Sequence, residues 1–394
     1  MPTSLTVLFE TLFCLSAGIV LYVYVGYPLL LGFLARYFPR EVRPSLNWEP
    51  AVSLLISAYN ESPVIASKLE NSLALDYPAD RMEIIVVSDC SEDGTDEIVG
   101  RFSERGVRLI RQGQRLGKSA GLNLAVPQAR GDVLVFSDAN AIYQPNSIRQ
   151  LVRHFSSPHI GFVVGNARYS CKNSPTAPAE AEGLYWKLET WMKEKESAIE
   201  SVVGGDGAIY AIRRELYAPL LPTDISDFLT PLQIIDLGYR GIFEPRAVSY
   251  EDTAESFQKE FRRKVRIVSR SFNALFRVPG ILRPWHNPRH WMQLVSHKLL
   301  RWLVPFFLIL LFMTSLILSR SPLYRIALLL QTAFYAIAII GWILPGTRTA
   351  WKAVSLVYYF CLVNMASMIG CMKCFRGDLS GTWTPPRQSV ETKV

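Results

Sequence analysis

The chain has 394 residues, of which 49% are hydrophobic and 19% are charged, and its formal net charge is +8. It is too long for one simple core, and its apolar ends exclude a freely soluble protein. Basic residues at 262–270 and 277–297 lie beside apolar segments. We therefore expect them to contact lipid headgroups or phosphates, and we expect no nucleic acid partner.

The first 38 residues contain an apolar segment, from about Leu5 to Leu34, that predicts a retained transmembrane anchor. The segment is longer than a signal-peptide core, and no small-residue cleavage site follows it. Arg36, Arg40 and Arg43 come directly after the segment. Positive charges favour the cytoplasmic side, so we expect the next domain to lie in the cytoplasm.

Residues 50–250 have the composition of one water-exposed domain in which strands alternate with helices. This order predicts an α/β domain with a mostly parallel sheet. The predicted strands, each with the polar residues that follow it, are 51–57 with Ala58-Tyr59-Asn60-Glu61, 83–87 with Ser88-Asp89 and Asp93-Gly94-Thr95, 107–110 with Gly117-Lys118-Ser119-Ala120-Gly121-Leu122-Asn123, and 133–138 with Asp138-Ala139-Asn140. The carboxyl ends of such strands usually form the ligand crevice.

Asp138 and Asn140 form a candidate metal site, because they lie two residues apart at a strand end. Mg²⁺ and Mn²⁺ bind carboxylate and amide oxygens together with substrate phosphates. The alternative is an ordinary turn without a metal. Lys118 is either a phosphate ligand or a solvated surface lysine. Asp89 precedes any helix-capping position, so we expect it to contact a nucleotide base or ribose.

Two later segments are candidates for catalysis. Gly204-Gly205-Asp206 belongs to a glycine-rich turn that tolerates a close ligand. Asp227 opens an amphipathic helix, where it is either a helix cap or a general base. Arg263 and Arg266 belong to a basic helix within an amphipathic, interfacial region at 251–298. They either bind a diphosphate leaving group or reflect the general excess of positive charge near membranes.

Residues 299–372 contain three further apolar segments, at about 299–318, 323–344 and 353–372. Each is close to the roughly 20 residues that a helix needs to cross the hydrocarbon. We therefore predict three C-terminal transmembrane helices, followed by a tail at 373–394.

The ordered motifs resemble those of membrane-bound family 2 glycosyltransferases, the group that includes cellulose, hyaluronan, chitin and poly-N-acetylglucosamine synthases. The resemblance extends over nearly the whole chain. It implies a Rossmann-like GT-A fold and inverting transfer from a nucleoside diphosphate sugar, usually UDP-linked. By position it implies that the nucleotide sugar is bound by Tyr59, Glu61, Asp89, Lys118 and Asp138, and that Mg²⁺ or Mn²⁺ is bound by Asp138 and Asn140. It also implies that the acceptor-side loop contains Gly204, Gly205 and Asp206. In the reaction, it implies that Asp227 is the base and that Arg263 or Arg266 contacts the diphosphate.

The chain departs from the processive members of this group in two motifs. Their Gln-x-x-Arg-Trp pattern is replaced by Arg263-Lys264-Val265-Arg266-Ile267, which lacks the tryptophan that supports the acceptor sugar. Asn140 stands where many members have aspartate, so the metal site carries less negative charge.

The tail sequence Thr382-Trp383-Thr384-Pro385-Pro386-Arg387 resembles the segment that covers the nucleotide in these synthases. The resemblance implies a gating role for Trp383, Thr384 and Arg387. Three complete crossings would place this tail on the side of the membrane opposite the cytoplasm, so a gating role requires that one apolar segment be re-entrant or interfacial.

We therefore expect a multi-pass inner-membrane enzyme that extends a growing polysaccharide or a lipid-linked glycan. One alternative is transfer of a single sugar to a polyprenyl phosphate or another lipid carrier. A second is a catalytically silent subunit that binds nucleotide or a partner. A transporter is less favoured, because the predicted spans carry almost no central charges. The sequence contains no indication of the oligomeric state.

Overall fold

A computed structural model describes residues 4–42, 44–45, 47–170, 177–252, 257–343, 352–379 and 381–382. The expected gating residues Trp383, Thr384 and Arg387 lie outside these described residues. The strands are β1 Val52–Ala58, β2 Met82–Ser88, β3 Val107–Arg111, β4 Val133–Asp138, β5 Ile142–Tyr143, β6 Ile160–Ser170, β7 Tyr210–Arg213 and β8 Arg240–Asp252.

Thirteen α-helices are present among the described residues. They are α1 Ser4–Leu21, α2 Tyr27–Tyr37, α3 Ser62–Leu73, α4 Thr95–Gly100, α5 Lys118–Ala125, α6 Ser147–Val152, α7 Ala177–Ile199, α8 Ser226–Asp236, α9 Phe257–Arg277, α10 Pro288–Leu294, α11 Leu300–Ile317, α12 Pro322–Ile343 and α13 Lys352–Phe375. Two π-helical turns, Tyr22–Gly26 and Val295–Leu299, connect α1 to α2 and α10 to α11.

All eight strands belong to one sheet with the order β3-β2-β1-β4-β7-β6-β8-β5. The first four strands are parallel, β7 is antiparallel to both of its neighbours, and β8 is parallel to β6. The expected mostly parallel sheet is confirmed. Strand β1 is buried along nearly its whole length because both of its faces are covered. Leu55 packs into one hydrophobic cluster, whereas Leu54 and Ile56 pack into another.

Among the residues that the structure describes, four helical segments are long and apolar enough to cross a membrane. They are Ser4–Tyr37, Pro288–Ile317, Pro322–Ile343 and Ala353–Phe375. Their positions agree with the four apolar segments of the sequence. The second begins earlier than expected, because α10 continues through the π-helical turn into α11.

Helix α13 lies alongside α9, the basic amphipathic helix that follows the sheet. The ring centroids of Phe257 and Tyr358 are 4.8 Å apart near one end of this pair. Those of Phe272 and Phe375 are 5.5 Å apart near the other end. Between them, the Tyr359 hydroxyl donates to the Glu260 carboxylate at 3.5 Å. The two helices are therefore parallel neighbours along most of their length.

Candidate active site

One cavity of about 960 Å³ extends from the carboxyl ends of β1, β2 and β4 to helices α9, α11 and α13. It brings together all the expected site residues that the structure describes. They are Tyr59, Glu61, Asp89, Lys118, Asp138, Asn140, Gly204, Gly205, Asp206, Asp227, Arg263 and Arg266.

The turn after β1 is held by side chains from the loop after β2. The Thr95 hydroxyl accepts a hydrogen bond from the Glu61 amide at 2.8 Å. The Asp93 carboxylate accepts one from the Thr95 amide at 3.1 Å, which forms a local turn just before α4. The guanidinium of Arg115 lies 3.9 Å from the centre of the Tyr59 ring. These contacts hold Tyr59 and Glu61 in the wall of the cavity.

Asp89 organises the loop that leads to Lys118. Its Oδ1 accepts hydrogen bonds from the Leu116 and Gly117 amides, both at 2.9 Å, and from Gln112 Nε2 at 2.8 Å. Burial raises the pKa of the Asp89 carboxyl, although these amides and Arg115 oppose the change. Asp89 therefore uses three hydrogen bonds to hold the loop before Lys118. Its role in nucleotide binding stays a prediction.

Three charged groups converge on the glycine-rich turn. A Cβ atom at Gly207 would lie 3.2 Å from Asp227 Oδ2, 3.3 Å from Asp138 Oδ2 and 3.5 Å from Lys118 Nζ. Lys118 Nζ also donates to Asp138 Oδ1 at 2.5 Å. Burial alone would lower the pKa of Lys118, but the charges of Asp138 and Asp227 outweigh it and raise that pKa. The absence of a side chain at Gly207 leaves this space open for a ligand.

Asp138 and Asn140 fit a divalent cation that also binds substrate phosphates. Both line the cavity at the end of β4 and offer carboxylate and amide oxygens. No group of three or more His, Cys, Asp or Glu side chains with metal-binding geometry occurs in the described ranges. One or two protein ligands suffice for Mg²⁺ when a diphosphate completes the coordination.

Asp227 does not cap its helix. The cap position of α8 is Ile225, and Asp227 lies in the first turn. The Asp227 carbonyl accepts from the Gly205 amide at 2.6 Å, and a Cβ atom at Gly205 would lie only 2.5 Å from that oxygen. Burial raises the pKa of the Asp227 carboxyl, Lys118 opposes this, and Asp206 adds to it. A carboxylate with a raised pKa is a better proton acceptor.

The acceptor-side loop carries a second ion pair. Lys193 Nζ lies 3.3 Å from Asp206 Oδ2, and both side chains are about nine-tenths buried. Lys193 and Lys264 also lie near the ring of Trp186, at 5.4 and 5.8 Å from its centre. This part of the cavity therefore combines charge with an aromatic surface.

The arginines of α9 have different environments. Arg263 Nε donates to Glu260 Oε2 at 2.7 Å. Burial and the nearby Arg270 lower the pKa of Arg266 to about 10, whereas Asp227 and Asp138 act in the opposite direction. Arg266 therefore stays charged at neutral pH within the field of both carboxylates.

The sequence analysis missed three ionisable residues around the site. Lys68 is fully buried, donates to the Ala141 carbonyl at 2.6 Å and lies 3.9 Å from the centre of the Tyr143 ring. Burial lowers its pKa to about 7. Glu251 lines the cavity, and burial followed by the charge of Asp138 raises its pKa to about 8. The burial of Lys68 could have been predicted from its spacing, because it lies three residues after Ile65 and four before Ser72, on the buried face of α3.

Arg270, the third of these residues, supports the segment that precedes α8. Its guanidinium donates to the carbonyls of Pro222, Thr223 and Asp224, at 3.2 Å and 2.8 Å for the first two. Ser119 of α5 also donates to the Asp224 carbonyl, at 2.7 Å. Helices α5 and α9 therefore hold the same segment and fix the start of α8, where Asp227 lies.

The chain returns to the site after α13. A Cβ atom at Gly117 would lie 2.3 Å from the Gly381 carbonyl oxygen. A Cβ atom at Gly381 would lie 2.8 Å from the Pro222 carbonyl oxygen. The backbone at Gly381 thus lies directly against the loop that carries Lys118.

The eight-stranded sheet, with acidic residues at its strand ends and the basic helix α9 beside them, has the GT-A fold. A structure with the same fold is the mannosyltransferase PcManGT from Pyrobaculum calidifontis in complex with GDP-Man and Mn²⁺. It is 23% identical, with a TM-score of 0.67, and the match covers 91% of this chain and 99% of that one.

Residues 53–219 match the family model Glycosyl transferase family 2. The probable glycosyltransferase YdaM of Bacillus subtilis is 30% identical over 279 residues. The poly-beta-1,6-N-acetyl-D-glucosamine synthase of Staphylococcus aureus is 26% identical over 269 residues. The match covers 65% of this chain and 65% of the length of each relative. Residues 53–219 therefore form a glycosyltransferase family 2 domain, and the expected GT-A fold is confirmed.

Proposed function

We propose that this protein is an inverting glycosyltransferase that uses a nucleotide sugar, most simply a UDP-sugar, to build a cell-surface glycan. The observation that carries the proposal is the convergence of Asp138, Asp227 and Lys118 on the open space at Gly207. Sugar transfer needs a positively charged group that stabilises the donor diphosphate and a basic group that takes the proton of the acceptor hydroxyl, both within one cavity. This arrangement supplies both.

On the donor side, Tyr59, Glu61 and Asp89 contact the nucleoside and Lys118 contacts the phosphates. Asp138 and Asn140 would hold Mg²⁺ or Mn²⁺. The Mn²⁺ and GDP-Man bound to PcManGT support this assignment. When bound, the cation supplies positive charge that stabilises the departing diphosphate.

On the acceptor side, Asp227 removes the proton of the attacking hydroxyl. The hydroxyl oxygen forms a bond to the anomeric carbon while the bond from that carbon to the diphosphate breaks. The electron pair leaves with the nucleoside diphosphate, whose charge Arg266 and Arg263 stabilise. Attack from the opposite face gives a β-linkage from an α-linked donor, through an oxocarbenium-like transition state.

The acceptor is a growing polysaccharide or a lipid-linked glycan that contacts Gly204, Gly205 and Asp206. The similarity to poly-beta-1,6-N-acetyl-D-glucosamine synthase supports polysaccharide synthesis. The rival is transfer of a single sugar to a polyprenyl phosphate or similar carrier. Ile267 in place of the tryptophan of the processive motif favours this rival.

We further propose that α13 lies in the membrane interface and that only three segments cross the inner membrane. Its alignment with α9 and the return of Gly381 to the site support this topology. The catalytic domain and the tail then share the cytoplasmic side. Trp383, Thr384 and Arg387 would be available to cover the nucleotide.

The test is nucleotide release from a panel of UDP- and GDP-sugars by the purified protein with Mg²⁺ or Mn²⁺ and native membranes as acceptor source. The Asp138→Ala variant should lose metal-dependent release, whereas Asp80→Asn, which changes an exposed carboxylate far from the cavity, should retain it. A ladder of products indicates polymer synthesis and one band indicates single transfer. No release with any donor would overturn the proposal and favour a silent subunit.

A further inference from the structure

Trp302 brings an indole ring from membrane helix α11 into the catalytic cavity. The residue is only 8% exposed and lines the cavity. Its ring packs edge-on against Phe228 and Phe272, with centroid distances of 5.7 and 6.1 Å. Phe228 directly follows the candidate base Asp227. Trp302 therefore contacts the residue that follows the candidate base, and both Trp302 and Asp227 line the cavity.

The surroundings of Trp302 fix its position and leave its polar group available. The Cys371 thiol of α13 contacts the Trp302 carbonyl at 3.8 Å, which ties α11 to the helix beside α9. Within the described part of the chain, no protein acceptor takes a hydrogen bond from the indole N–H. A buried tryptophan usually satisfies this donor, so a donor beside an open cavity is suited to a ligand.

Trp302 also differs from tryptophans that anchor a protein at a membrane interface. Such residues typically face headgroups and lipid. Trp342, at the end of α12, is 67% exposed, as expected for that role, whereas Trp302 is enclosed by aromatic side chains. Trp302 belongs to the main hydrophobic cluster together with Phe228 and Phe272. It also borders the cavity, so packing in the core and contact with a ligand are compatible roles for its ring.

The processive motif places a tryptophan where this chain has Ile267. Ile267 lines the same cavity but offers no planar face. A pyranose ring presents C–H groups on one face and hydroxyl groups at its edge. An indole ring matches both, because it combines an apolar face with one hydrogen-bond donor.

We propose that Trp302 is the binding surface for the terminal pyranose of the acceptor, in place of the tryptophan that the Arg263–Ile267 segment lacks. The proposal rests on the proposed transferase function. Lys298, in the π-helical turn that precedes α11, also borders the cavity. The acceptor sugar thus lies between the first turn of a membrane helix and Asp227, which fits an acceptor that arrives from the membrane side.

The test compares Trp302→Phe and Trp302→Leu with Trp285→Phe, a matched change at a tryptophan that is 79% exposed. The protein is kept in a sugar-free detergent, and octyl glycosides of glucose, mannose and N-acetylglucosamine are the acceptor probes. Trp302→Leu should raise the acceptor KM about tenfold or more. Trp302→Phe should have a smaller effect, and the donor KM should not change in either variant.

A second measurement does not depend on turnover. The protein labelled with 5-fluorotryptophan should show one fluorine resonance that Trp302→Phe removes and that shifts when an octyl glycoside is added. No shift with any probe, or an unchanged acceptor KM in Trp302→Leu, would overturn the proposal for Trp302 alone. No turnover of the wild-type protein with any donor would overturn the transferase function instead, and the fluorine shift would still decide whether Trp302 binds a sugar.

Discussion

Lys118 Nζ and Asp138 Oδ1 form a 2.5 Å ion pair that joins the first residue of α5 to the last residue of β4. The lysine thus neutralises the same carboxylate that we assign to the metal. When a metal ion and a diphosphate bind, this ion pair must break. The Lys118 ammonium then contacts a phosphate, and the Asp138 carboxylate binds the cation.

The Lys118→Met variant separates these two roles. Without the competing ammonium, Mn²⁺ should bind more tightly to the donor-free protein, because Asp138 loses its counter-ion. Turnover should nevertheless fall by about 10²-fold, as is typical when one charge-stabilising donor is removed. Electron paramagnetic resonance titration of Mn²⁺ and nucleotide release measure the two effects. Weaker Mn²⁺ binding in the variant would contradict the competition.

The Asp227→Asn variant should lose transfer and retain donor binding. The amide preserves the shape of the side chain but cannot accept the hydroxyl proton. We expect a loss of at least about 10²-fold in the turnover number with a donor dissociation constant within about threefold of the wild type. Calorimetric titration with donor and release assays provide the comparison. Substantial turnover in this variant would remove Asp227 as the base.

The buried Lys68 should make stability rise with pH. Its pKa is lowered to about 7 in the folded protein, so the unfolded chain binds the additional proton between about pH 7 and pH 10. The melting temperature of the wild type, relative to that of Lys68→Met, should therefore increase over this interval. Lys187→Met, at an exposed position of α7, should show no such trend. If the difference in melting temperature between the wild type and Lys68→Met does not change with pH, the pKa of Lys68 is not lowered.

Glu251 should have the opposite effect. Because its pKa is raised to about 8, its contribution to stability is fully present below the ordinary carboxyl pKa and is lost as the pH rises through about 8. The melting temperature of the wild type should fall relative to that of Glu251→Gln between pH 5 and pH 9. Glu104→Gln, at an exposed site, serves as the control. If the melting temperature of the wild type rises with pH relative to that of Glu251→Gln, the pKa of Glu251 is not raised in the folded protein.

Gly117 cannot be replaced without strain. Its φ of +91° and ψ of 169° belong to a region that only glycine readily adopts, and a side chain would collide with the Gly381 carbonyl. Gly117→Ala should cost about 1–3 kcal/mol in unfolding free energy and weaken donor binding. Gly113→Ala, in the same loop with open space around its Cβ position, should be nearly neutral. Equal effects of the two changes would contradict this explanation.

The strand ends could be predicted from the sequence because each buried apolar run stops at a polar residue. Asp89 and Asp138 were found in this way, whereas Asp227 was found as a carboxylate at the start of an amphipathic helix and the resemblance added its role as the base. Lys68 was missed because charge normally marks a surface position, and only packing reveals that its ammonium has a carbonyl and an aromatic ring as partners.

The packing of α13 against α9 could not be predicted either. Hydropathy and length are the same for a helix that crosses a bilayer and for one that lies along a protein surface at its edge. Trp302 was missed for a related reason. Within a long apolar segment an indole is expected to face lipid, and only the tertiary fold turns it toward Phe228.

The close contact between Gly117 and Gly381 also has a consequence for biogenesis. Parts of the site come from Tyr59 in the first strand turn and from Gly381 beyond the last apolar helix. A ribosome that has made only the α/β domain has made an open, incomplete site. On the proposed topology, the site becomes complete only after α13 has been placed at the membrane interface, so membrane integration would protect the cell from an unanchored transferase that consumes sugar nucleotides.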